Sequence, residues 1–318
     1  MTATLWPIYN FDIEVKNLEA VRVDQMSSKR QALASGSDEL EAELEDGVLL
    51  LRFNRPRARN ALTLEMLDAL GAQLAWAETE PAVRVVVLTG AGAAFCAGGD
   101  IKVMAAGRSI YGTTEEPELR TQRQIDVQRA TSVALWNFGK PTISLINGPA
   151  VGAGLALALA CDIRYAAESA TLGSGFAAVG LAGDFGCTWL LNRLLGPSRA
   201  KELLLFAQSL DARRSLDRGL VNDVFDDDRL LTEGLARARR LAEGPGTALS
   251  AIKEHIARAG REDLATCADA EVRRHVQLMA GEEHRTLVRR LLGGISSADS
   301  AEFAEFADSA ESEVRTGR

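Results

Sequence analysis

Phe95-Cys96-Ala97-Gly98-Gly99-Asp100-Ile101 and Asn147-Gly148-Pro149-Ala150-Val151-Gly152-Ala153-Gly154 are two glycine-rich turns of the same make. Each follows an apolar run that reads as a buried strand, 83–89 and 142–146, and each opens a segment that reads as a helix. A turn at a helix start leaves backbone N–H groups without intrahelical acceptors, and the helix dipole adds positive character there. Two such turns meeting at one point would aim two N–H donors at a single oxyanion. That suits chemistry in which a carbonyl becomes an enolate or a tetrahedral adduct. The alternative is two tight strand-to-helix connections with no chemical role. Either way, strands alternating with helices imply an α/β fold.

Composition narrows the possible partners. A chain of 318 residues can build one sizeable core with an appendage, and its apolar share of 47% and charged share of 25% are ordinary for a globular protein. No apolar run approaches the ~20 residues that cross a bilayer. Residues 1–13 carry no basic stretch followed by an apolar one, so no signal peptide and a cytoplasmic location are expected. The net charge of −8 argues against nucleic acid or an anionic membrane as the main partner. It leaves room for an anionic ligand on a local basic cluster. Cys96, Cys161, Cys187 and Cys267 form no CxxC pair and read as small buried thiols of a reducing compartment. His255, His275 and His284 lack metal-ligand spacing, and no metal site is expected.

The organisation divides at three places. Residues 1–42 read as an extension, 43–195 as the α/β core, 196–292 as a helical region and 293–318 as a tail. Within the core, 47–53 reads as a strand and Arg55-Pro56-Arg57-Ala58-Arg59-Asn60 as a basic loop. Thr63 suits the N-cap of a helix to about residue 78, with Leu64, Leu67, Leu70, Leu74 and Ala77 on one face. A polar loop, 107–117, precedes a helix over 118–138 that stops at Lys140-Pro141. From residue 186 onward the pattern is almost wholly helical, with segments 187–195, 198–207, 212–219, 228–243, 247–259, 262–280 and 282–292.

Several signatures fail. Gly90-Ala91-Gly92-Ala93-Ala94-Phe95 begins like a dinucleotide fingerprint but has Phe95 at the third glycine, and no P-loop Gly-Lys-Ser/Thr is present. Gly173-Ser174-Gly175 is not a nucleophile elbow. Cys96 has no histidine in the first two-thirds of the chain to activate it. What does fit is an ordered series: Arg55-Pro56 with Asn60-Ala61-Leu62; Val85-Val86-Val87-Leu88-Thr89-Gly90 leading to Phe95–Ile101; Lys140-Pro141 leading to Asn147-Gly148; Ala160-Cys161-Asp162-Ile163-Arg164-Tyr165-Ala166; Leu194-Leu195-Gly196; and Ala212 with Gly219-Leu220-Val221. Over residues 43–292 this resembles the crotonase, or enoyl-CoA hydratase/isomerase, superfamily. The resemblance implies a spiral of ββα units with a helical C-terminal trimerisation region, assembling as a homotrimer or a dimer of trimers. It implies acyl-CoA thioester substrates, with coenzyme A entering as part of the substrate and no prosthetic group. The oxyanion donors would be the N–H groups of Gly99 and Ala153. Coenzyme contacts would come from Arg55, Arg57, Arg59, Asn60, Ala61, Leu62, Gly98, Asp100, Ile101 and Lys102, and more weakly from Arg285. The arginines could equally be a solvated basic loop.

The pattern then breaks. Where the family's hydratases carry two glutamates that position water and move protons, this chain resembles them in frame but has Ala156 and Phe176. Neither side chain can carry a proton. A carboxylate stands close by, Asp184 in Leu181-Ala182-Gly183-Asp184-Phe185-Gly186, where some relatives place an acid/base or a nucleophile. Asp184 could instead N-cap the helix that follows. As an acid/base it would suffice for a double-bond shift, taking an α- or γ-proton and returning it elsewhere while the turns hold the dienolate. Burial among Phe176, Leu181 and Phe185 would raise its pKa. Isomerisation is the leading expectation. Hydration or thioester hydrolysis by Asp184 alone, and binding of acyl-CoA without catalysis, stand as alternatives.

Overall fold

Six consecutive residues, Val85–Gly90, are buried along their whole length, as β-branched residues covered on both faces should be. This strand, β4, is the fourth of ten among the described residues. In chain order the strands are β1 Gln31–Leu33, β2 Leu40–Glu45, β3 Val48–Phe53, β4, β5 Thr142–Ile146, β6 Ala150–Val151, β7 Ile163–Ala167, β8 Thr171–Gly173, β9 Ser209–Asp211 and β10 Asp223–Phe225. The computed structural model describes residues 30–111 and 117–293, in two units that meet in sequence between Glu271 and Val272. In the first unit, a seven-stranded sheet has the order β1-β2-β3-β4-β5-β7-β10 and a three-stranded sheet the order β6-β8-β9. β4 runs parallel to β3 (Leu50 beside Val87) and to β5 (Val87 beside Ile143), whereas β2 is antiparallel to β3.

The sheet starts earlier than the boundary expected at residue 43. Leu40-Glu41-Ala42-Glu43-Leu44-Glu45 is a period-two strand whose Leu40 and Ala42 are buried, and β1 adds to its outer edge. Residues 1–29 of the expected extension and 294–318 of the expected tail lie outside the described residues, as do residues 112–116 of the polar loop.

The helices of the first unit begin with α1, Leu64–Thr79, where the Thr63 hydroxyl accepts from the Met66 N–H at 3.1 Å, as expected of an N-cap. Met66, Leu67, Leu70, Leu74 and Ala77 are buried on the sheet side of it. A short α2, Ile101–Ala105, follows the first glycine turn. The helix expected over 118–138 is interrupted: α3, Pro117–Gln128, passes through a π turn, Arg129–Val133, into α4, Ala134–Asn137. There the Thr131 and Ser132 hydroxyls donate to the carbonyls of Val127 and Gln128, competing with the regular ladder. Helix α5, Ala153–Ala160, is buried at every residue. Helix α6, Cys187–Leu205, bends at Gly196 (φ 74°) before Pro197, which matches the two segments expected there. Then come α7 Ala212–Asp217, α8 Leu230–Ala242, α9 Gly246–Ala259 and α10 Leu264–Met279. From residue 186 onward the described chain is thus helical except for β9 and β10, which are too short to show periodicity. The second unit holds the end of α10 and α11, Glu282–Gly293, in which Glu282 pairs with Arg285 and Arg289, both at 3.0 Å.

Candidate active site

The two glycine turns meet. The Cys96 N–H donates to the Pro149 carbonyl at 3.1 Å and the Val151 N–H to the Cys96 carbonyl at 2.9 Å, zipping one turn to the other. Gly98 has φ 76°, and a Cβ on it would collide with the Val151 carbonyl oxygen and lie 3.3 Å from the Ala153 amide nitrogen. Gly154 packs directly on the backbone and side chain of Cys96, so it too has no room for a Cβ. Gly152, at φ 57° and ψ −122°, turns the chain into α5 and makes Ala153 its first residue. Among the described residues, no protein acceptor takes the N–H of Gly99 or of Ala153. The Met104 methyl lies over Gly99, where a Cβ would otherwise project.

The loop 55–62 is tied to the first turn by its own polar groups. Asn60 is fully buried; its amide donates to the carbonyls of Ala91, Ala94 and Phe95 at 3.0, 2.7 and 3.2 Å, and its carbonyl oxygen accepts from the Arg55 N–H at 2.8 Å. The Asn60 backbone oxygen accepts from the Cys96 thiol at 3.1 Å, and the Leu62 N–H donates to the Gly98 carbonyl at 2.8 Å. Arg55 pairs with Glu39 at 2.9 Å, lies 3.9 Å from Asp100, and donates to the Ala61 carbonyl. Ala61 and Leu62 are buried. Asp100 caps α2 by accepting from the Lys102 N–H at 3.0 Å. Arg57, Arg59, Ile101 and Lys102 are exposed, and none of these three cations has an ion-pair partner among the described residues. Arg55 and Asn60 are therefore built into the loop, whereas Arg57, Arg59 and Lys102 are free to meet an anion. Arg285 lies in the second unit. Burial pushes the Cys96 thiol up to about 12, so it stays a neutral donor.

Ala156 is buried, and Phe176 places its ring beside Gly152, 3.6 Å from where a Cβ would be. Asp184 does not cap α6: the cap residue is Gly186, without a side-chain bond. Its carboxyl is largely buried instead. Oδ2 accepts from the Gln124 amide at 3.4 Å, while Oδ1 is shut from solvent with no partner among the described residues. Burial raises its pKa to about 6. Tyr111, itself buried, and Cys187 are neighbours whose own pKa values are pushed up by burial and by the Asp184 charge, Cys187 to about 12. The chain reaches Asp184 from Phe176 through a tight turn in which the Leu181 N–H donates to the Phe176 carbonyl at 2.9 Å. Helix α5, which begins at Ala153, packs on α6, which begins just after Asp184.

Sequence reasoning missed Gln124 and Gln128. Gln128 accepts from the Phe185 N–H at 2.9 Å. The two glutamines are four apart and share one face of α3, a spacing that the solvated face of a helix shows as well. A cavity of about 360 Å³ lies elsewhere, lined by Glu41, Arg52, Thr89, Asn147, Asp227 and Leu230 among others, and includes neither Asp184, Gly99 nor Ala153. Its polar side chains are already paired within the protein, for example Arg52 with Glu41 at 3.0 Å.

The same combination of turns and core occurs in known proteins. The family model described as enoyl-CoA hydratase/isomerase matches residues 43–292. The chain is 42% identical over 201 residues to EchA14 of Mycobacterium tuberculosis, named a probable enoyl-CoA hydratase, covering 63% of this chain and 73% of that one. It is 37% identical over 243 residues to the 1,2-epoxyphenylacetyl-CoA isomerase of Escherichia coli, covering 76% and 89%. The crystal structure of an enoyl-CoA hydratase from Polaromonas sp. JS666 superposes with a TM-score of 0.74 at 34% identity, covering 80% of this chain and 96% of that one. Because the matched region takes in the basic loop, both interlocked turns and Asp184 as one continuous stretch, the chain belongs to the enoyl-CoA hydratase/isomerase family, with the crotonase fold.

Proposed function

We propose that this acyl-CoA enzyme shifts the carbon–carbon double bond of an enoyl-CoA, with Asp184 as acid/base and the N–H groups of Gly99 and Ala153 as the oxyanion hole. The observation that carries the reading is the buried Asp184 carboxyl with a partnerless Oδ1, in a chain with Ala156 and Phe176 at the hydratase glutamate positions. The carboxylate takes an α- or γ-proton, and the C–H electron pair moves into a dienolate. The thioester oxygen, now negative, is held by the two amides, which are unoccupied by protein acceptors and pre-oriented by the zipped turns. The protonated Asp184 then returns its proton at the other carbon. Product and substrate are isomers, and the carboxylate is regenerated without a water.

Coenzyme A arrives as part of the substrate, and no prosthetic group is invoked. Arg57, Arg59 and Lys102 are suited to its phosphates because they are exposed and lack ion-pair partners among the described residues, with Arg55, Asn60, Ala61, Leu62, Gly98, Asp100 and Ile101 shaping the loop and turn beneath. A homotrimer or dimer of trimers in the cytoplasm completes the proposal. The test is a panel of 2-enoyl-, 3-enoyl- and aryl-CoA esters in deuterated water, followed by mass spectrometry. Isomerisation gives a product with the double bond moved and no water added, carrying deuterium at carbon wherever the protonated Asp184 exchanges with solvent before it returns its proton. A product heavier by one water, free acid with free CoA, or no turnover at all would contradict it.

A further inference from the structure

Asp184 sits in a stretch of backbone with little stiffness of its own. Gly180, Gly183 and Gly186 all have positive φ, at 74°, 127° and 73°, and glycine leaves such a segment many conformations. Phe185 is itself held at φ 50°, an uncommon conformation for a bulky residue. The Phe185 ring is buried in the core, and the polar contacts that reach this stretch from outside come from one face of α3. Gln128 Oε1 accepts from the Phe185 N–H at 2.9 Å, and Gln124 Nε2 donates to Asp184 Oδ2 at 3.4 Å. Both glutamines are half-buried, and they are one helical turn apart.

We infer that Gln124 and Gln128 are positioning residues for Asp184: Gln128 sets its backbone, and Gln124 holds Oδ2 so that the buried, partnerless Oδ1 is the oxygen that exchanges the proton. This rests on the reading of Asp184 as the acid/base. The geometry gives the two glutamines different consequences. Gln124 donates to the carboxylate, a contact that favours the charged form against the burial that raises its pKa. Gln128 touches only backbone and affects where the carboxyl is, not how readily it ionises. The other groups facing Asp184 are the Tyr111 phenol and the Cys187 thiol, both neutral near pH 7 because burial raises them. Arg123 and Asp126 of α3 are exposed.

The experiment compares Gln124→Leu, the isosteric Gln124→Glu and Gln128→Ala by steady-state kinetics against pH and by 13C NMR titration of the Asp184 carboxyl. Gln124→Leu is expected to lower kcat about tenfold near pH 6–7, a fraction of the roughly 10²–10⁴-fold that a positioned acid/base supplies, with KM little changed. Its acid limb and the NMR titration should both move to higher pH. Gln124→Glu should move them further, because a like charge replaces a donor. Gln128→Ala should lower kcat without moving either. Unchanged titrations in both Gln124 variants would overturn the inference. Failure of the underlying reading looks different: Asp184→Asn would keep wild-type activity, whatever the Gln124 variants do to the carboxyl titration.

Discussion

The proposed proton chemistry rests on one titration, that of Asp184. Its pKa in the folded protein is about 6, above the usual carboxylate value of about 4, because burial disfavours the charged form. The folded state therefore binds more protons than the unfolded one between those values, and stability falls as pH rises through that window. Allowing for partial exposure, the cost is on the order of 2 kcal/mol at neutral pH. Asp184→Asn should accordingly raise the melting temperature at pH 8 by several degrees and leave it unchanged at pH 4, read by thermal unfolding at both. A variant no more stable than wild type at pH 8 contradicts a buried charge at this position. Gly98 offers the opposite case. With φ 76° and the Val151 carbonyl against it, Gly98→Ala must strain the backbone by roughly 1–2 kcal/mol and push the turns apart. We expect a lower melting temperature together with loss of turnover, checked on the same preparation. The glycines were legible in the sequence because only a special backbone needs them so densely. Gln124 and Gln128 were not, since a polar residue on a helix reads by default as solvent-facing.

Elements that pack on two sides were legible, and those that depend on a partner were not. β4 and β5 announce themselves by unbroken apolar, β-branched runs. β8 and β9 are three residues each and exist because Leu172 pairs with Leu210 in the second sheet, a tertiary fact with no local signature. The π turn after α3 was likewise hidden, because hydroxyl-to-carbonyl bonds at Thr131 and Ser132 depend on side-chain rotamers. The start of α1 was visible, since a threonine before an amphipathic run has a mechanism. Thr63→Ala should cost about 1 kcal/mol in denaturant unfolding and leave kcat within twofold of wild type, because its hydroxyl serves the Met66 N–H and Glu39 and touches neither Asp184 nor the two turns. A large fall in kcat with unchanged stability would put Thr63 in the site after all.

For the molecule as a whole, the net charge of −8 argues against nucleic acid or an anionic membrane as the main partner, and the family match over 43–292 supports the acyl-CoA class. Assembly belongs to this scale as well. Native mass spectrometry is expected to give three or six times the monomer mass, and a monomer at micromolar concentration would contradict the trimer. The proposed division of labour is also a property of the whole: the interlocked turns would supply the oxyanion donors, while proton movement would fall to one carboxyl on a separate segment. Asp184→Asn separates the two functions. The most direct measurement is deuterium exchange at the acyl α- and γ-carbons of a bound enoyl-CoA, in wild type and in Asp184→Asn, with acyl-CoA affinity measured alongside. The account predicts that exchange falls by at least about 10²-fold while affinity is retained. Exchange at the wild-type rate in Asp184→Asn would contradict it.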